Sequence, residues 1–324
     1  MKPEPFDLLI IGAGPVGLFG AFYAGLRGLS TMLLDSLPEA GGQVATMYPE
    51  KDILDVAGFA RVRGRDLVEG LMAQTEPYHP EFCLGEQALE LVTSDEGVEV
   101  TTNRGTVLNA RSMLLTVGIG SFSPKPLPAA ADWTGGGVVH FVPQPAALAG
   151  HDVVIVGGGD SAVDWAHMLY PVAKSVRVVH RRDRFRAAPA MLERVRSMGI
   201  PFHVPAQVTR LIGDGKLAAV ELTAGDGTVS ELPCDTVVAA LGFHADIGPL
   251  ITWGVELAGR HIVVDSTGAT NLPRIYAAGD IVTYPGKVAL LATGFGEVAT
   301  AVNNIAHLLD PSVTAFPGHT SEMA

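Results

Sequence analysis

A glycine-rich turn close to the N-terminus limits the folds open to this chain more than any other feature. The apolar run Leu8–Ile11 leads directly into Gly12-Ala13-Gly14-Pro15-Val16-Gly17, and a pattern typical of a helix follows. A second apolar run at residues 31–34 then ends in Asp35. A strand, a glycine turn, a helix, a strand and an acid at this spacing predict a βαβ unit that binds a dinucleotide.

Each residue type in this turn has a physical role. Gly12 permits the tight turn, Gly14 lets a pyrophosphate approach the backbone, and Gly17 lets the helix pack closely on the strand. The helix N-terminus offers unpaired N–H groups to the phosphates. The carboxylate of Asp35 can accept hydrogen bonds from ribose hydroxyls and would repel a 2′-phosphate, which favours FAD or NAD over NADP. The predicted contacts are Gly12, Gly14, Pro15, Gly17 and Asp35.

The second half of the chain repeats this pattern with the opposite charge. A strand at residues 152–156 leads into Gly157-Gly158-Gly159-Asp160-Ser161-Ala162, and the next strand ends in His180-Arg181-Arg182. Guanidinium groups at this position suit the 2′-phosphate of NADP(H), although a solvated basic turn is the alternative. We therefore assign FAD to the first turn and NADP(H) to the second. The NADP contacts that we predict are Gly157, Gly159, Asp160, Ser161, Ala162, His180, Arg181, Arg182 and Arg186.

Composition excludes several classes of protein. The net charge of −12 provides no overall basic field, which argues against nucleic-acid binding. No apolar run approaches the roughly 18 residues of a membrane helix, and the start of the chain has no signal-peptide form, so we expect a cytoplasmic protein without membrane contact. The two cysteines, Cys83 and Cys234, form no CxxC, and the ten histidines form no cluster. We predict no metal site.

The length of 324 residues suggests about two domains. We predict an α/β fold with two Rossmann-like domains, each of three layers (ββα), and with the NADP domain inserted in the FAD domain. The FAD domain would take residues 1–118 and 244–324, and the NADP domain residues 119–243. We expect the strands at residues 82–84, 88–92, 97–102 and 107–110 to form an antiparallel layer. A second antiparallel meander is predicted at residues 208–233.

Three further segments are candidates for contact with the flavin. The loop at residues 36–43 carries Gly41 and Gly42, whose backbone can lie against a flat ring. Tyr48 follows, and its ring either stacks on the flavin or packs within the loop. Gly279 and Asp280 end a strand at the carboxyl edge of the sheet, where the carboxylate can bind a ribityl hydroxyl. The last helix, at residues 294–309, would direct backbone N–H groups of residues 294–296 at the flavin.

These motifs together resemble the thioredoxin-reductase-type ferredoxin–NADP reductases, which are flavoproteins with two dinucleotide-binding domains. The resemblance spans essentially the whole chain and rests on both glycine turns and on Gly279-Asp280. More specific segments are residues 41–43, 48–51, 55–59, 293–297, 300–303 and 319–321. Thioredoxin reductases carry CxxC just before the second turn, whereas residues 137–145 of this chain contain no cysteine. A disulfide reductase without thiols has no path for its chemistry.

The resemblance implies roles for further residues. Gln43 would contact the edge of the isoalloxazine, Tyr48 would stack on one face, Phe122 would lie near the cofactor, and the backbone of Ala88 would meet the adenine. The C-terminal tail would cover the other face, with His319 stacking and Thr320 or Ser321 near N5, unless this polar tail is disordered. Members of the family are homodimers with one FAD per subunit.

The function that we predict is ferredoxin–NADP reductase. NADP(H) would exchange hydride with FAD, and electrons would pass singly to or from ferredoxin or a flavodoxin-like carrier, with no side chain acting as acid or base. Two alternatives stay open: a reductase for a quinone or another small acceptor, and a flavin-based redox sensor. Because ferredoxins are acidic, docking would need a local basic patch. Arg61, Arg63 and Arg65 are candidates, or else form a solvated loop.

Overall fold

The computed structural model describes residues 4–316 and 318, and the side chains of Ser121, Phe122 and Ala245 lie outside that description. The chain divides into two compact units. The first takes Met1–Ser121 and Ala245–Ala324, and the second takes Phe122–His244. The second unit is therefore one continuous segment inserted between the two parts of the first. The predicted crossings at residues 118–119 and 243–244 lie beside these divisions.

The helices and the short 3-10 segments alternate with strands in both units. The α-helices are α1 (Pro15–Leu26), α2 (Gly42–Met47), α3 (Gly64–Thr75), α4 (Asp160–Leu169), α5 (Pro189–Ser197) and α6 (Leu291–Leu309). The 3-10 segments are Glu76–Tyr78, Pro128–Ala130, Pro145–Leu148, Gly248–Ile251 and Gly279–Ile281.

The strands are numbered here in chain order. Those before the second glycine turn are β1 (Leu8–Ile11), β2 (Thr31–Asp35), β3 (Asp52–Ile53), β4 (Val62–Arg63), β5 (Glu81–Leu84), β6 (Ala88–Thr93), β7 (Val98–Thr102), β8 (Val107–Ala110), β9 (Met113–Leu115), β10 (Ser121–Pro124), β11 (Val138–Val139) and β12 (Asp152–Val156). Those after it are β13 (Ser175–Val179), β14 (Phe202–His203), β15 (Ala206–Asp214), β16 (Lys216–Ala224), β17 (Val229–Pro233), β18 (Thr236–Ala239), β19 (Phe243–Asp246), β20 (Leu257–Ala258), β21 (His261–Val263), β22 (Ile275–Ala277) and β23 (Val282–Thr283).

The first unit is built on a parallel sheet in the order β22-β9-β1-β2-β5. β1 is apolar throughout because both of its faces are covered. Leu8 and Ile10 pack with helices α1, α3 and α6, whereas Leu9 and Ile11 pack with the antiparallel sheet β6-β7-β8. This gives the three predicted layers.

The second unit repeats this plan with a parallel sheet in the order β11-β18-β12-β13-β14. Val153 and Ile155 of β12 pack with α4 and α5, and Val154 and Val156 pack with the meander β15-β16-β17. The predicted α/β fold of two Rossmann-like units is therefore confirmed, and so is the predicted meander.

Two local predictions are wrong. Residues 82–84 do not join the antiparallel layer: β5 pairs in parallel with β2 at the edge of the main sheet. The physical reason is that α3 carries the chain back along the sheet between β2 and β5, so β5 runs in the same direction as β2. The predicted loop at residues 36–43 also ends early, because α2 begins at Gly42.

Candidate dinucleotide-binding sites

The first glycine turn leaves open space in front of Gly14. Gly12 has a φ of 107°, and a Cβ there would lie 2.5 Å from the carbonyl oxygen of Thr116, so only glycine fits. A Cβ at Gly14 would meet only the Cα of Gly42, at 4.0 Å. α1 begins at Pro15 with Gly14 as its N-cap and has no acid in its first turn. The backbone of this turn therefore fits a diphosphate.

Asp35 ends β2 and is bound by two backbone groups of the same site. Its carboxylate accepts hydrogen bonds from the N–H of Ala13 at 2.7 Å and of Leu37 at 2.9 Å. Burial raises the pKa of Asp35, and these two donors oppose that shift. Since a carboxylate offers about four lone-pair sites, it can still accept a ribose hydroxyl. The N–H of Glu86 donates to the carbonyl of Asp35 at 3.1 Å. Since Glu86 is two residues before Ala88, this bond holds the chain that leads to Ala88 beside Asp35.

The segment after β2 returns to the glycine turn. Gly42 has a φ of 56°, and a Cβ there would lie 3.0 Å from the Cα of Gly14, so the two glycine backbones approach closely. The side-chain nitrogen of Gln43 would lie 3.2 Å from a Cβ at Gly118, just beyond the end of β9. The predicted residues Gly14, Gly42 and Gln43 are therefore brought together at the carboxyl edge of the sheet.

Tyr48 and Asp280 lie within electrostatic reach of each other. Burial raises the pKa of Tyr48, and the charges of Asp280 and Asp55 raise it further. Asp280 is exposed in the 3-10 segment that follows β22, and Gly279 beside it is buried. The ammonium of Lys51 lies 5.9 Å from the centroid of the Tyr48 ring.

Glu297 is a residue of this site whose role sequence reasoning missed. Its carboxylate accepts hydrogen bonds from the Gly279 N–H at 2.8 Å, the Tyr284 hydroxyl at 2.6 Å and the Lys287 ammonium at 2.5 Å. The side chains of Lys287 and Glu297 are only 9% and 12% exposed. Glu297 therefore links α6 both to the turn at Gly279 and to the buried side chain of Lys287. The available signal was that Glu297 is the one acidic residue in α6, a helix that contains no lysine or arginine.

The prediction for the start of the last helix is wrong. α6 begins at Leu291, and the N–H of Gly294 already donates to the carbonyl of Leu290 at 3.0 Å, so it is not available to a ligand. Gly294 has a packing role instead. A Cβ there would lie 2.6 Å from a methyl group of Val16, so glycine permits close contact between α6 and α1.

The second glycine turn is also open. A Cβ at Gly159 would meet nothing within 4 Å, and α4 begins directly after it at Asp160. The ring of His180 lies against Gly158, where any side chain would collide with it. Ser161 is exposed and Ala162 is buried under the turn.

The arginine loop after β13 is anchored to this turn. The N–H of Arg186 donates to the Gly158 carbonyl at 2.7 Å, and the N–H of Ala188 donates to the Asp160 carboxylate at 2.8 Å. The ring of Phe185 packs between two other rings, with its centroid 4.9 Å from that of His180 and 5.6 Å from that of Phe202. The loop that carries Arg181, Arg182 and Arg186 is therefore held beside the second glycine turn, and all three arginines are exposed.

The arginine loop concentrates positive charge around His180. Burial lowers the pKa of His180, and the charges of Arg181, Arg182 and Arg186 lower it further. The charges that lower this pKa belong to guanidinium groups, so the loop has a positive potential. The same positive potential favours a phosphate dianion.

The two cysteines sit in different units. Cys83 lies in β5, and Cys234 is buried with its thiol donating to the Thr236 carbonyl at 3.0 Å. Burial raises the pKa of Cys234 to about 12. An inert thiol of this kind takes no part in disulfide exchange.

The candidate docking arginines are exposed, and each has an acidic partner. Arg61 lies 3.6 Å from Asp52, and both Arg63 and Arg65 pair with Glu50. These ion pairs neutralise much of the predicted basic patch.

The remaining predicted residues fall outside the description. His319, Thr320 and Ser321 are outside the described residues, as is the side chain of Phe122. Among the residues that the structure does describe, no helix has the length and apolar character needed to cross a membrane. In the same part of the chain, His, Cys, Asp and Glu side chains form no group of three or more that could hold a metal ion.

The fold and its two glycine turns define a two-unit dinucleotide-binding oxidoreductase. The family model for pyridine nucleotide-disulphide oxidoreductases matches residues 6–306. A ferredoxin–NADP reductase from Salinispora arenicola is 56% identical over 98% of both chains, and one from Saccharopolyspora erythraea is 54% identical over 100% of both. The crystal structure of T. acidophilum thioredoxin reductase is 26% identical with a TM-score of 0.78, covering 94% of this chain and 99% of the other.

The chain therefore belongs to the pyridine nucleotide-disulphide oxidoreductase family and, within it, to the ferredoxin–NADP reductases. It is an oxidoreductase, and the resemblance found in its sequence is confirmed. Proteins of this family, including its ferredoxin–NADP reductases, are flavoproteins that bind FAD and NADP.

Proposed function

We propose that this chain binds one FAD in its first unit and NADP(H) in its second, and that it exchanges electrons between NADP(H) and ferredoxin or a flavodoxin-like carrier. The observation that carries the proposal is that two sheets of the same strand plan place groups of opposite charge beside their glycine turns. The strand after the first turn ends in the carboxylate of Asp35, and the strand after the second turn ends in the arginine loop.

The residues assigned to FAD supply backbone groups and hydroxyl partners. Asp35 accepts from the adenosine ribose, and the backbone at Gly14 and Gly42 faces the diphosphate. Asp280 accepts from the ribityl chain, while Gln43 and Tyr48 contact the ring. The complete assignment is Gly12, Gly14, Pro15, Gly17, Asp35, Gly42, Gln43, Tyr48, Ala88, Phe122, Gly279, Asp280, His319, Thr320 and Ser321.

The residues assigned to NADP(H) divide into the turn and the loop. The turn at Gly157 and Gly159 receives the diphosphate, and Arg181 and Arg182 bind the 2′-phosphate with charge-assisted hydrogen bonds. Asp160 acts by anchoring the loop through Ala188. Ser161, Ala162, His180 and Arg186 complete the assigned set.

Bound FAD would supply the conversion between two-electron hydride transfer and one-electron transfer. The chain itself binds and orients both nucleotides and needs no acid, base or nucleophile for this reaction. The buried, protonated Cys234 and the absence of CxxC argue against a dithiol relay. We extend the proposal, from the resemblance, to a homodimer located in the cytoplasm, which size-exclusion chromatography with light scattering and cell fractionation would test.

The decisive experiment follows the flavin absorbance of the purified protein. NADPH added without oxygen should bleach the flavin, and two equivalents of oxidised ferredoxin per NADPH should restore the colour. A colourless protein that cannot be reconstituted with FAD would overturn the proposal. Reoxidation by a quinone and not by ferredoxin would instead support the small-acceptor alternative.

A matched variant removes both thiols. Cys83→Ser with Cys234→Ala should keep ferredoxin reduction, because neither sulfur takes part in the proposed transfer. Loss of that activity in a folded, yellow variant would mean that a thiol carries electrons.

A further inference from the structure

The side chain of Asp280 is not held by hydrogen bonds of its own. Asp280 is exposed just after β22, and no residue that the structure describes donates a hydrogen bond to its carboxylate. Asp35 differs, because its carboxylate accepts directly from the N–H groups of Ala13 and Leu37. The direction of the Asp280 carboxylate therefore depends on the backbone that carries it.

That backbone changes direction at Gly279. Ala278 is extended, whereas Gly279 has a φ of 84°, a conformation that favours glycine. The N–H of the buried Gly279 donates to the carboxylate of Glu297 at 2.8 Å. This hydrogen bond fixes the peptide group at the start of the turn, one residue before Asp280.

Glu297 is itself held in place before any ligand binds. Its Oε2 accepts from Gly279, while its Oε1 accepts from the Tyr284 hydroxyl at 2.6 Å and from the Lys287 ammonium at 2.5 Å. The side chains of Lys287 and Glu297 are only 9% and 12% exposed, so little water competes for these bonds. Glu297 is thus a fixed acceptor on a helix of 19 residues.

We propose that Glu297 is a positioning residue for FAD: it fixes the turn at Gly279, and the turn directs the Asp280 carboxylate at the ribityl chain. This rests on the proposed assignment of Asp280 to FAD. Glu297 itself contacts no cofactor. Asp35 needs no such residue, because its carboxylate is held directly.

Two double variants separate positioning from stability. Both replace Lys287 by methionine, so neither leaves a buried charge unpaired. The acceptor variant, Glu297→Gln with Lys287→Met, keeps a carbonyl that can accept from the Gly279 N–H. The acceptor-free variant, Glu297→Leu with Lys287→Met, removes that carbonyl and leaves the Gly279 N–H without its partner.

The measurement is the rate at which each holoenzyme releases FAD, followed by ultrafiltration and flavin absorbance. The acceptor variant should release FAD at close to the wild-type rate. The acceptor-free variant should release it about tenfold faster, the effect of one hydrogen bond. If the acceptor-free variant does not fold, Glu297→Asp, which keeps the charge on a shorter side chain, should also release FAD faster, and a wild-type rate would overturn the proposal.

Two further backgrounds show whether Glu297 acts through Asp280. Asp280→Ala should speed the release of FAD, and in that background the two double variants should release it at equal rates, because Glu297 has no carboxylate left to direct. In an Asp35→Asn background the tenfold difference should persist, since Asp35 is held independently of Glu297.

Each remaining outcome counts against a stated claim. Equal release rates for the two double variants with Asp280 in place would overturn the role of Glu297. A difference that persists in Asp280→Ala would also overturn it, because Glu297 would then act only on the stability of the fold. A wild-type release rate in Asp280→Ala alone would instead refute the assignment of Asp280 to FAD, on which the proposal rests.

Discussion

Replacement of Glu297 by glutamine tests whether the ion pair behind the Gly279 turn stabilises the first unit. The substitution keeps the shape of the side chain and removes its charge. The side chain of Lys287, which is only 9% exposed, would then lose the carboxylate that its ammonium contacts at 2.5 Å. An uncompensated buried charge typically costs about 3–5 kcal/mol.

We expect the lower end of that range, about 3 kcal/mol, because the amide carbonyl of the introduced glutamine can still accept from the Gly279 N–H or the Lys287 ammonium. A loss of that size corresponds to roughly a hundredfold change or more in the unfolding equilibrium. Adding Lys287→Met removes the unpaired charge, so the double variant should be more stable than Glu297→Gln alone.

The assay needs a probe within the first unit. Trp253 lies there, with its indole N–H donating to the Leu89 carbonyl at 2.9 Å, whereas Trp133 and Trp165 lie in the second unit. Urea unfolding followed by Trp253 fluorescence, in a Trp133→Phe and Trp165→Phe background, reports on the first unit. A loss below about 1 kcal/mol together with simple additivity in the double variant would refute the reasoning.

Three further predictions concern the two sites. Replacing Arg181 and Arg182 by alanine should lower kcat/KM for NADPH at least about tenfold and leave that for NADH unchanged, since each charge-assisted hydrogen bond contributes about 1.5–3 kcal/mol; stopped-flow flavin bleaching measures both. Asp160→Ala should raise KM for NADPH about fivefold by releasing the Ala188 N–H, whereas Asp160→Asn, which can still accept that bond, should not; equal effects would contradict the anchoring role. The hydrogen bond to Glu297, together with burial and the carboxylate charge, raises the pKa of Tyr284 to about 12 from 10.0. Because the folded state holds this proton more tightly, the protonated hydroxyl stabilises the folded state below about pH 10, and this contribution is lost as the pH rises to about 12; absorbance at about 295 nm should show that one of the late-titrating tyrosines titrates earlier in Glu297→Gln than in the wild type.

Much of the architecture could be predicted because its signals are local. The run Leu8–Ile11 must be buried on both faces, and Gly12, Gly14 and Gly17 meet constraints within one turn. The same pattern recurs at Gly157, and the parallel sheet of the second unit accordingly repeats the plan of the first.

Other parts of the fold depend on partners that are remote in the sequence. The helix α2 is only six residues long and shows no helical repeat, and strands of two residues such as β11 and β14 exist only through their pairing. The direction of β5 was decided by the crossover through α3.

The sequence by itself determined which turn faces which charge, because Asp35 and the Arg181-Arg182 pair each follow their strand directly. Only the tertiary structure decided how those groups are held. The Asp160 carboxylate binds the backbone of Ala188, and Glu297 binds Gly279, across 28 and 18 residues of chain. A hydrogen bond between groups so far apart in the chain leaves no local pattern, since its energy depends on geometry that folding alone creates.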